Sequence, residues 1–259
     1  MKKSVNLYFN TADTKEKLLE IKNLGYDEFF TGIYDAKETI KFNEQIQLAK
    51  SLGLDCTMIH CSYYEPDLNN FWFDCEAGDK VEYNYINQIK LCNGLSKNFV
   101  VHLNGGFNSK QTIVGLRRIK NLLKVCEENN INLCIENLYS ADEIDYIFTN
   151  INHPNLKICF DIGHKNFLTP ALDIMNKYGE FVTVLHLHDN DGKADLHKIP
   201  YTGSVNWNEF AKSLVRFPNL VLSSEIKYNN VDFKKILQEN LNALKKLDKT
   251  IQSFNDKSK

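Results

Sequence analysis

Nowhere in the 259 residues do about 20 apolar residues run together, the length a membrane-crossing helix needs, so no span is expected. The N-terminus, MKKSVNLYFN, carries two lysines, but its short apolar stretch is broken by Asn6 and Asn10 and no small-residue cleavage pattern follows. That argues against a secretory leader. The seven cysteines include no CxxC pair, and an odd number placed largely in or beside apolar runs reads as reduced, mostly buried thiols. Charge of one sign is also missing. Thirty-one basic and 33 acidic side chains leave a formal net charge of −2 with no basic run, so no overall field recruits nucleic acid or an acidic membrane. Nor does a Pro/Gly/Ser-rich linker divide the chain, which predicts one domain over residues 1–250 and a disordered tail at 251–259. What remains is a cytoplasmic globular protein, 43% hydrophobic and 25% charged, long enough for a sizeable core.

Eight apolar, β-branched or aromatic runs recur along the chain: SVNLYF, GYDEFFTGIY, CTMIH, NFVVHL, INLCIE, LKICFD, FVTVLHLH and LVLSSEI. Between them, leucines and isoleucines recur at three- and four-residue intervals in polar surroundings, the pattern of helices with one apolar stripe. Gly25, Gly53 and Gly179 fall where helices should stop, and Asp13 and Ser140 precede helical patterns as N-caps. Alternation of strand and helix throughout implies a parallel sheet. Eight such units predict an α/β fold, a (β/α)8 TIM barrel in a single domain. An open doubly wound sheet is the rival, but it would gather ligands at one switch point.

The ends of the runs carry the chemistry. CTMIH finishes at His60, FVVH at His102, NLCIE at Glu136, LKICFD at Asp161, VTVLH at His186 and LVLSSE at Glu225. A buried strand has no packing reason to end on an imidazole or a carboxylate. A divalent ion needs three or four convergent donors, and strand ends on one barrel rim converge without any local motif. His164 follows Asp161 by three residues, and Asp195-Leu-His197 puts two donors on one face of an extended segment. His186 and His188 share a strand face by period-two alternation, so either can be the ligand, with His186 preferred. Singly, each has an ordinary explanation: a lone His is more often hydrogen-bonded than ligating, and a lone Glu is usually solvated or paired. Concurrence at six strand ends is what those explanations leave out. His153, in INHP, stands alone and is expected at the surface.

Two connections are longer than strand-to-helix joints require. One runs from Cys61 to about Lys80, with Tyr63, Tyr64, Phe71, Trp72 and Phe73 exposed by position; the other runs from Asp189 to Asn206. Both begin beside proposed donors and are expected to wall a pocket.

The ordered series His60, His102, Glu136-Asn137, CFDIGH, LHLHDN with DLH following, and Glu225 resembles the xylose isomerase-like TIM barrel superfamily over about residues 5 to 230. Each motif is weak, and their order and spacing carry the resemblance. That superfamily holds sugar and sugar-phosphate isomerases and epimerases as well as metal-dependent apurinic/apyrimidinic endonucleases. For the first branch the resemblance implies one ion, often manganese and sometimes magnesium, cobalt or zinc, on Glu136, Asp161, a His of LHLHDN and Glu225. For the second it implies three zinc ions on His60, His102, Glu136, Asp161, His164, His186, Asp195, His197 and Glu225, and every one of these residues is present. Three carboxylates around one divalent ion leave a single negative charge, tolerable for a neutral sugar; four around three ions leave a double positive charge, which invites phosphate. Against phosphodiester chemistry stands the lack of any basic run to track a nucleic-acid backbone.

The expectation is therefore a sugar or sugar-phosphate isomerase/epimerase that uses one to three divalent ions, manganese or zinc, and acts through an enediolate. The resemblance implies Glu136 and Glu225 as its proton-transfer groups. His188, Lys227, Tyr63, Trp72 and Asn137 are candidates for contact with a small-molecule sugar or sugar phosphate. The alternative is an apurinic-endonuclease-like trinuclear zinc phosphodiesterase, under which alone nucleic acid is a partner. A further alternative is a non-catalytic sugar-binding barrel, since ligand identity does not encode catalysis. Resemblance alone suggests a homodimer.

Overall fold

The computed structural model describes residues 1–8, 14–33, 39–62, 67–107, 110–228 and 232–257. The apolar runs form eight strands: β1 Lys3–Asn6, β2 Glu28–Gly32, β3 Asp55–His60, β4 Asn98–Val101, β5 Asn132–Glu136, β6 Leu156–Asp161, β7 Val182–His186 and β8 Leu222–Ser224. They pair in parallel in the order β7-β6-β5-β4-β3-β2-β1-β8. A parallel bridge between Leu187 and Ser224 brings β7 round to β8 and nearly closes the (β/α)8 barrel. Outside it lie α1 Thr14–Leu24, α2 Thr39–Ser51, α3 Glu76–Leu91, α4 Ile113–Glu128, α5 Ala141–Asn150, α6 Ile162–Phe167, α7 Ile174–Tyr178, α8 Trp207–Leu214 and α9 Phe233–Lys257. Among the described residues no helix is long and apolar enough to cross a membrane.

Both faces of the strands are buried, for different purposes. Outward side chains such as Phe29, Ile59, Phe99, Leu133, Ile135, Ile158 and Leu185 pack into the main core beneath the helices. Inward, Phe30, Met58, Val100, Cys134, Cys159 and Val184 form a separate apolar layer across the barrel. Side chains two apart share a strand face, so the residues two further along from the last five are His60, His102, Glu136, Asp161 and His186. The polar donors are thus the next inward layer, at the C-terminal rim. All seven cysteines are unpaired and all but Cys75 are buried. Burial pushes the Cys56 and Cys134 thiols up to about 12, which keeps them protonated.

Gly25 and Gly53, expected as helix stops, have φ of 96° and 75°, a conformation that favours glycine. Ser140 stands at the N-cap position of α5, and Asp13 lies outside the described residues.

Two expectations are corrected. The connection after β3 is partly regular: a 3-10 turn covers Leu68–Trp72, and α3 begins at Glu76, ahead of the YNYINQ stretch. Phe71 and Trp72 are 0% exposed, so Trp72 belongs to the core and cannot wall a pocket. Its indole Nε1 donates to Leu103 O at 2.7 Å, and its ring lies where a Cβ on Gly115 would come within 2.0 Å. The cause is Arg118, buried on α4, whose Nη1 donates to Phe71 O at 2.7 Å and Phe73 O at 2.6 Å while Nη2 pairs with Asp79 at 2.6 Å. That clamp folds the aromatic segment inward. Secondly, residues 251–257, expected to be disordered, continue α9. The stripe Leu237, Leu241, Leu244, Leu247 keeps its spacing to Ile251, which is 6% exposed, so the apolar face outlasts the composition cue.

Candidate metal centre

Glu136, at the end of β5 and 1% exposed, is ringed by four imidazoles. Its Oε2 faces His60 Nε2 at 3.1 Å and His102 Nε2 at 2.8 Å; its Oε1 faces His186 Nδ1 at 3.1 Å and His164 Nδ1 at 3.2 Å. Asp161, closing β6, caps α6 by accepting from His164 N at 2.7 Å, and its carboxylate lies 3.1 Å from His188 Nε2. Glu225, just past β8, accepts from the Tyr8 hydroxyl at 2.7 Å and lies 3.4 Å from His186 Nδ1. The connection after β7 is folded back by buried Asp189, which accepts from Trp207 Nε1 at 2.7 Å and Val205 N at 3.1 Å. This turn carries Asp195 and His197 to the cluster, 2.9 Å apart.

The partners fix where the ring protons lie. A carbonyl only accepts, so His60 Nδ1 donates to Cys61 O at 2.9 Å, His164 Nδ1 to Asn137 O at 3.1 Å and His197 Nδ1 to Glu225 O at 3.2 Å. In a neutral ring each Nε2 is then a lone pair, and each faces a carboxylate: Glu136 at 3.1 Å for His60, Asp195 at 3.7 Å for His164 and at 2.9 Å for His197. Lone pair against lone pair is repulsive. Either a second proton or a cation between the groups relieves it, and a ring anchored through its other nitrogen to a carbonyl is how metal-binding histidines are oriented.

The electrostatics agree. Against the burial that opposes it, His186 and His102 hold Glu136 well below the usual carboxylate range. Burial likewise opposes ionisation of Glu225, but His186 and His197 bring it down to about 2. Burial lowers His102, whereas His197, despite burial, is pushed up to about 9 by its hydrogen bond to Asp195 and by Glu225. Without an ion, protons on histidine are what balance the carboxylates.

The donor set fits a divalent ion. Ligand-forming atoms lie within 4.8 Å of one another in four overlapping groups: His60, Glu136, His186; Glu136, Asp161, His164; Asp161, His186, Glu225; and His164, His188, Asp195, His197. Imidazole nitrogens with carboxylate oxygens suit zinc- and manganese-class ions. Two buried atoms of the cluster, His188 Nδ1 and Asp195 Oδ1, have no hydrogen-bond partner among the described residues.

The structure brings the nine expected donors together, and His188, the other candidate ligand of the LHLHDN segment, lies among them, 0% exposed and with Nε2 3.1 Å from Asp161. Asn137, expected to contact substrate, is buried and joins two strands: Nδ2 donates to Asp161 O at 2.9 Å and Oδ1 accepts from Asp161 N at 2.8 Å. It clamps β5 to β6. Lys227 is exposed at the rim, its Nζ donating to Asp195 O at 3.2 Å. Tyr63 and Tyr64 lie outside the described residues. His153 stands apart, its Nδ1 accepting from Asn155 N at 3.2 Å. Sequence reasoning missed Tyr8, hidden in an apolar run, and Met58, whose Sδ lies 3.2 Å from His186 Nε2. A groove of about 550 Å³ on the outer wall, lined by residues such as Lys165, Met175 and Arg216, shares no donor with the cluster. Donor chemistry, and not cavity size, locates the site.

A single-domain (β/α)8 barrel with its polar side chains layered at the C-terminal strand ends belongs to the class of barrels whose functional sites sit on that face. The family description "Xylose isomerase-like TIM barrel" matches residues 18–247, and the chain belongs to that family. It is 25% identical over 256 residues to an uncharacterized protein of Methanocaldococcus jannaschii, covering 93% of this chain and 97% of that one. To fructoselysine 3-epimerase of Escherichia coli O157:H7 it is 23% identical over 171 residues, 59% of this chain and 62% of that enzyme. Against an uncharacterized Sinorhizobium fredii protein, 27% identity over 96 residues covers 34% of this chain and 31% of that protein. The chain thus spans less than two thirds of two of these relatives. The crystal structure of a D-tagatose 3-epimerase-like protein superposes with a TM-score of 0.75 at 18% identity, covering 100% of both chains, a likeness of fold.

Proposed function

We propose that the protein is a divalent-metal-dependent sugar or sugar-phosphate isomerase/epimerase that moves a proton at carbon beside a carbonyl. The observation that carries the metal requirement is the trio His60, His164 and His197, each with Nδ1 committed to a main-chain carbonyl and Nε2 aimed at a carboxylate. Family membership supports the substrate class, and so do the names of the relatives, a fructoselysine 3-epimerase and a D-tagatose 3-epimerase-like protein. A manganese- or zinc-class ion on Glu136, Asp161, His186 and Glu225 would polarise the sugar carbonyl and stabilise an enediolate.

Glu225 and Glu136 are the proton carriers in this reading. Both stay ionised at neutral pH, so each can accept a proton. The Tyr8 hydroxyl occupies Glu225 Oε1 and leaves Oε2 directed into the cluster. Lys227 offers an ammonium at the rim to a hydroxyl or phosphate. The setting we propose is cytoplasmic, which the seven unpaired thiols support.

The test is exchange of carbon-bound hydrogen. With manganese or zinc in D2O, a panel of ketoses followed by proton NMR should lose the signal beside the carbonyl, and E225Q or E136Q should slow that loss by about 100-fold or more. Cleavage of abasic-site DNA with no exchange in any ketose would replace this reading with a trinuclear phosphodiesterase. Eight of the nine donors fall in the overlapping ligand groups and His102 joins them through Glu136 at 2.8 Å, and this is the observation that favours that second reading.

A further inference from the structure

The outer ring of helices is interrupted beside β6. Pro170 has no amide hydrogen and disfavours helix in the residue before it, so the helical segment there breaks into α6 of six residues and α7 of five. The space that one continuous helix would fill is a groove of about 550 Å³ against α8, a volume typical of small-molecule sites. Its floor is apolar, made by Phe160 of β6 with Ile174, Met175 and Phe210. Its lip is cationic. Lys165 stands on α6, Lys212 on α8 and Arg216 just past the end of α8. Lys165 Nζ donates to the Pro170 carbonyl at 3.2 Å, and the Arg216 guanidinium lies over the Phe217 ring at 5.1 Å, so both of these partners are uncharged. The two acids of the lip are each held by a neighbouring amide: Asp173 accepts from Asn176 Nδ2 at 2.7 Å, and Glu209 accepts from Asn206 Nδ2 at 3.1 Å. Three cations against two carboxylates leave the groove with one positive charge.

We infer that this groove is an effector site for a small amphipathic anion, a carboxylate or phosphate carried on an apolar body. The floor takes the body by burial, and the cations of the lip take the head, charge complementing charge. An inorganic ion lacks the body and a neutral apolar molecule lacks the head, so neither matches the whole groove. The occupant acts on the rim through α6. That helix is capped by Asp161 and carries His164. Asn166, on the groove wall, donates from Nδ2 to Asn190 Oδ1 at 2.7 Å and to Ser204 Oγ at 2.9 Å, and Asn190 Nδ2 donates back to Gly163 O at 2.8 Å. These bonds join α6 to both ends of the turn that presents Asp195 and His197. A ligand that touches Lys165 and Ser204 therefore bears on the joint that sets the rim, and binding in the groove is coupled reciprocally to binding at the rim.

The probe is anilinonaphthalene sulfonate, titrated into the full chain and followed by fluorescence. One dye per chain should bind saturably, at least about 10-fold more tightly than uncharged phenylnaphthylamine and with an affinity that falls as salt rises. Lys212→Glu combined with Arg216→Glu should weaken the dye about 10-fold or more, and Ser213→Trp, which fills the groove, should abolish its binding. Displacement by naphthoate or by naphthyl phosphate assigns the anionic head; displacement by neither overturns the inference. With dye bound, amide hydrogen exchange should slow in α6 and across residues 190–204. Dye binding that ignores the substitutions, or that leaves those amides unchanged, would also overturn it. A chain that self-associates and sheds dye as its concentration rises would give the groove to a second copy and overturn the effector reading. If the charge-reversed variant does not fold, the uncharged dye and the salt series on the wild type decide.

Discussion

Tyr8 shows how much a single hydroxyl contributes at this rim. Its hydrogen bond to Glu225 is one to an ionised group, worth about 1.5–3 kcal/mol, and it fixes one carboxylate oxygen. Tyr8→Phe should therefore slow hydrogen exchange by about 10-fold with metal content unchanged; an unaltered rate would mean that His186 alone orients Glu225. A second residue reports on burial itself. Glu143, 1% exposed in the first turn of α5, is pushed up to about 7 by burial, although Asn104 donates to it at 2.9 Å. Its folded value lies above its unfolded one, so between about pH 4.5 and 7 the unfolded chain releases a proton that the folded chain keeps, and stability falls as pH rises through that window. The loss is of the order of 3 kcal/mol and then levels off. Denaturant unfolding of Glu143→Gln should lack this loss, and a variant that declines in parallel with wild type would refute the assignment.

At the scale of elements, competing magnitudes give signs. Gly115 lies within α4, where helix propensity alone makes alanine better by about 1 kcal/mol. The added Cβ would, however, meet Trp72 at 2.0 Å, and overpacking of a rigid ring costs about 1–3 kcal/mol or more. Gly115→Ala should thus lower the unfolding midpoint, and a rise would show that the Trp72 segment yields freely. The last turns of α9 carry a similar prediction. Truncation after residue 250 removes Ile251 from the core and should cost about 1.5–3 kcal/mol, read by thermal unfolding. The spacing of apolar residues made all eight strands and most helices legible, because that signal is local. It did not reveal the 3-10 turn at Leu68–Trp72, which Arg118 organises from 45 to 47 residues away in sequence.

For the whole molecule, the rim is a reservoir of charge that depends on what fills it. Glu225, depressed to about 2, stabilises the fold above its unfolded value near 4.5, and the contribution fades as pH falls towards 2. His197, raised to about 9, stabilises fully below its unfolded value near 6.5, and the contribution fades as pH rises through 9. In ion-free protein these two contributions coexist between about pH 4.5 and 6.5. Divalent ions replace the histidine protons and bind better as those protons leave. The unfolding temperature of ion-free protein should therefore drop from pH 6.5 to 9, and added zinc or manganese should remove the drop. The E143Q background keeps the Glu143 term out of the comparison. Identical curves with and without metal would argue against ion binding at the rim.

The order of the donors and the barrel that converges them were readable from the chain alone, since period-two alternation puts Met58 with His60 and Cys134 with Glu136 whatever lies across the sheet. Partners were not readable, because barrel closure sets them. Only the folded chain sends Trp72 into the core, spends Asn137 on Asp161, sets Tyr8 against Glu225, and parts His186 from His188 into groups of different chemistry. Local sequence determines which face a side chain takes; distances between strands far apart in sequence determine what it meets there.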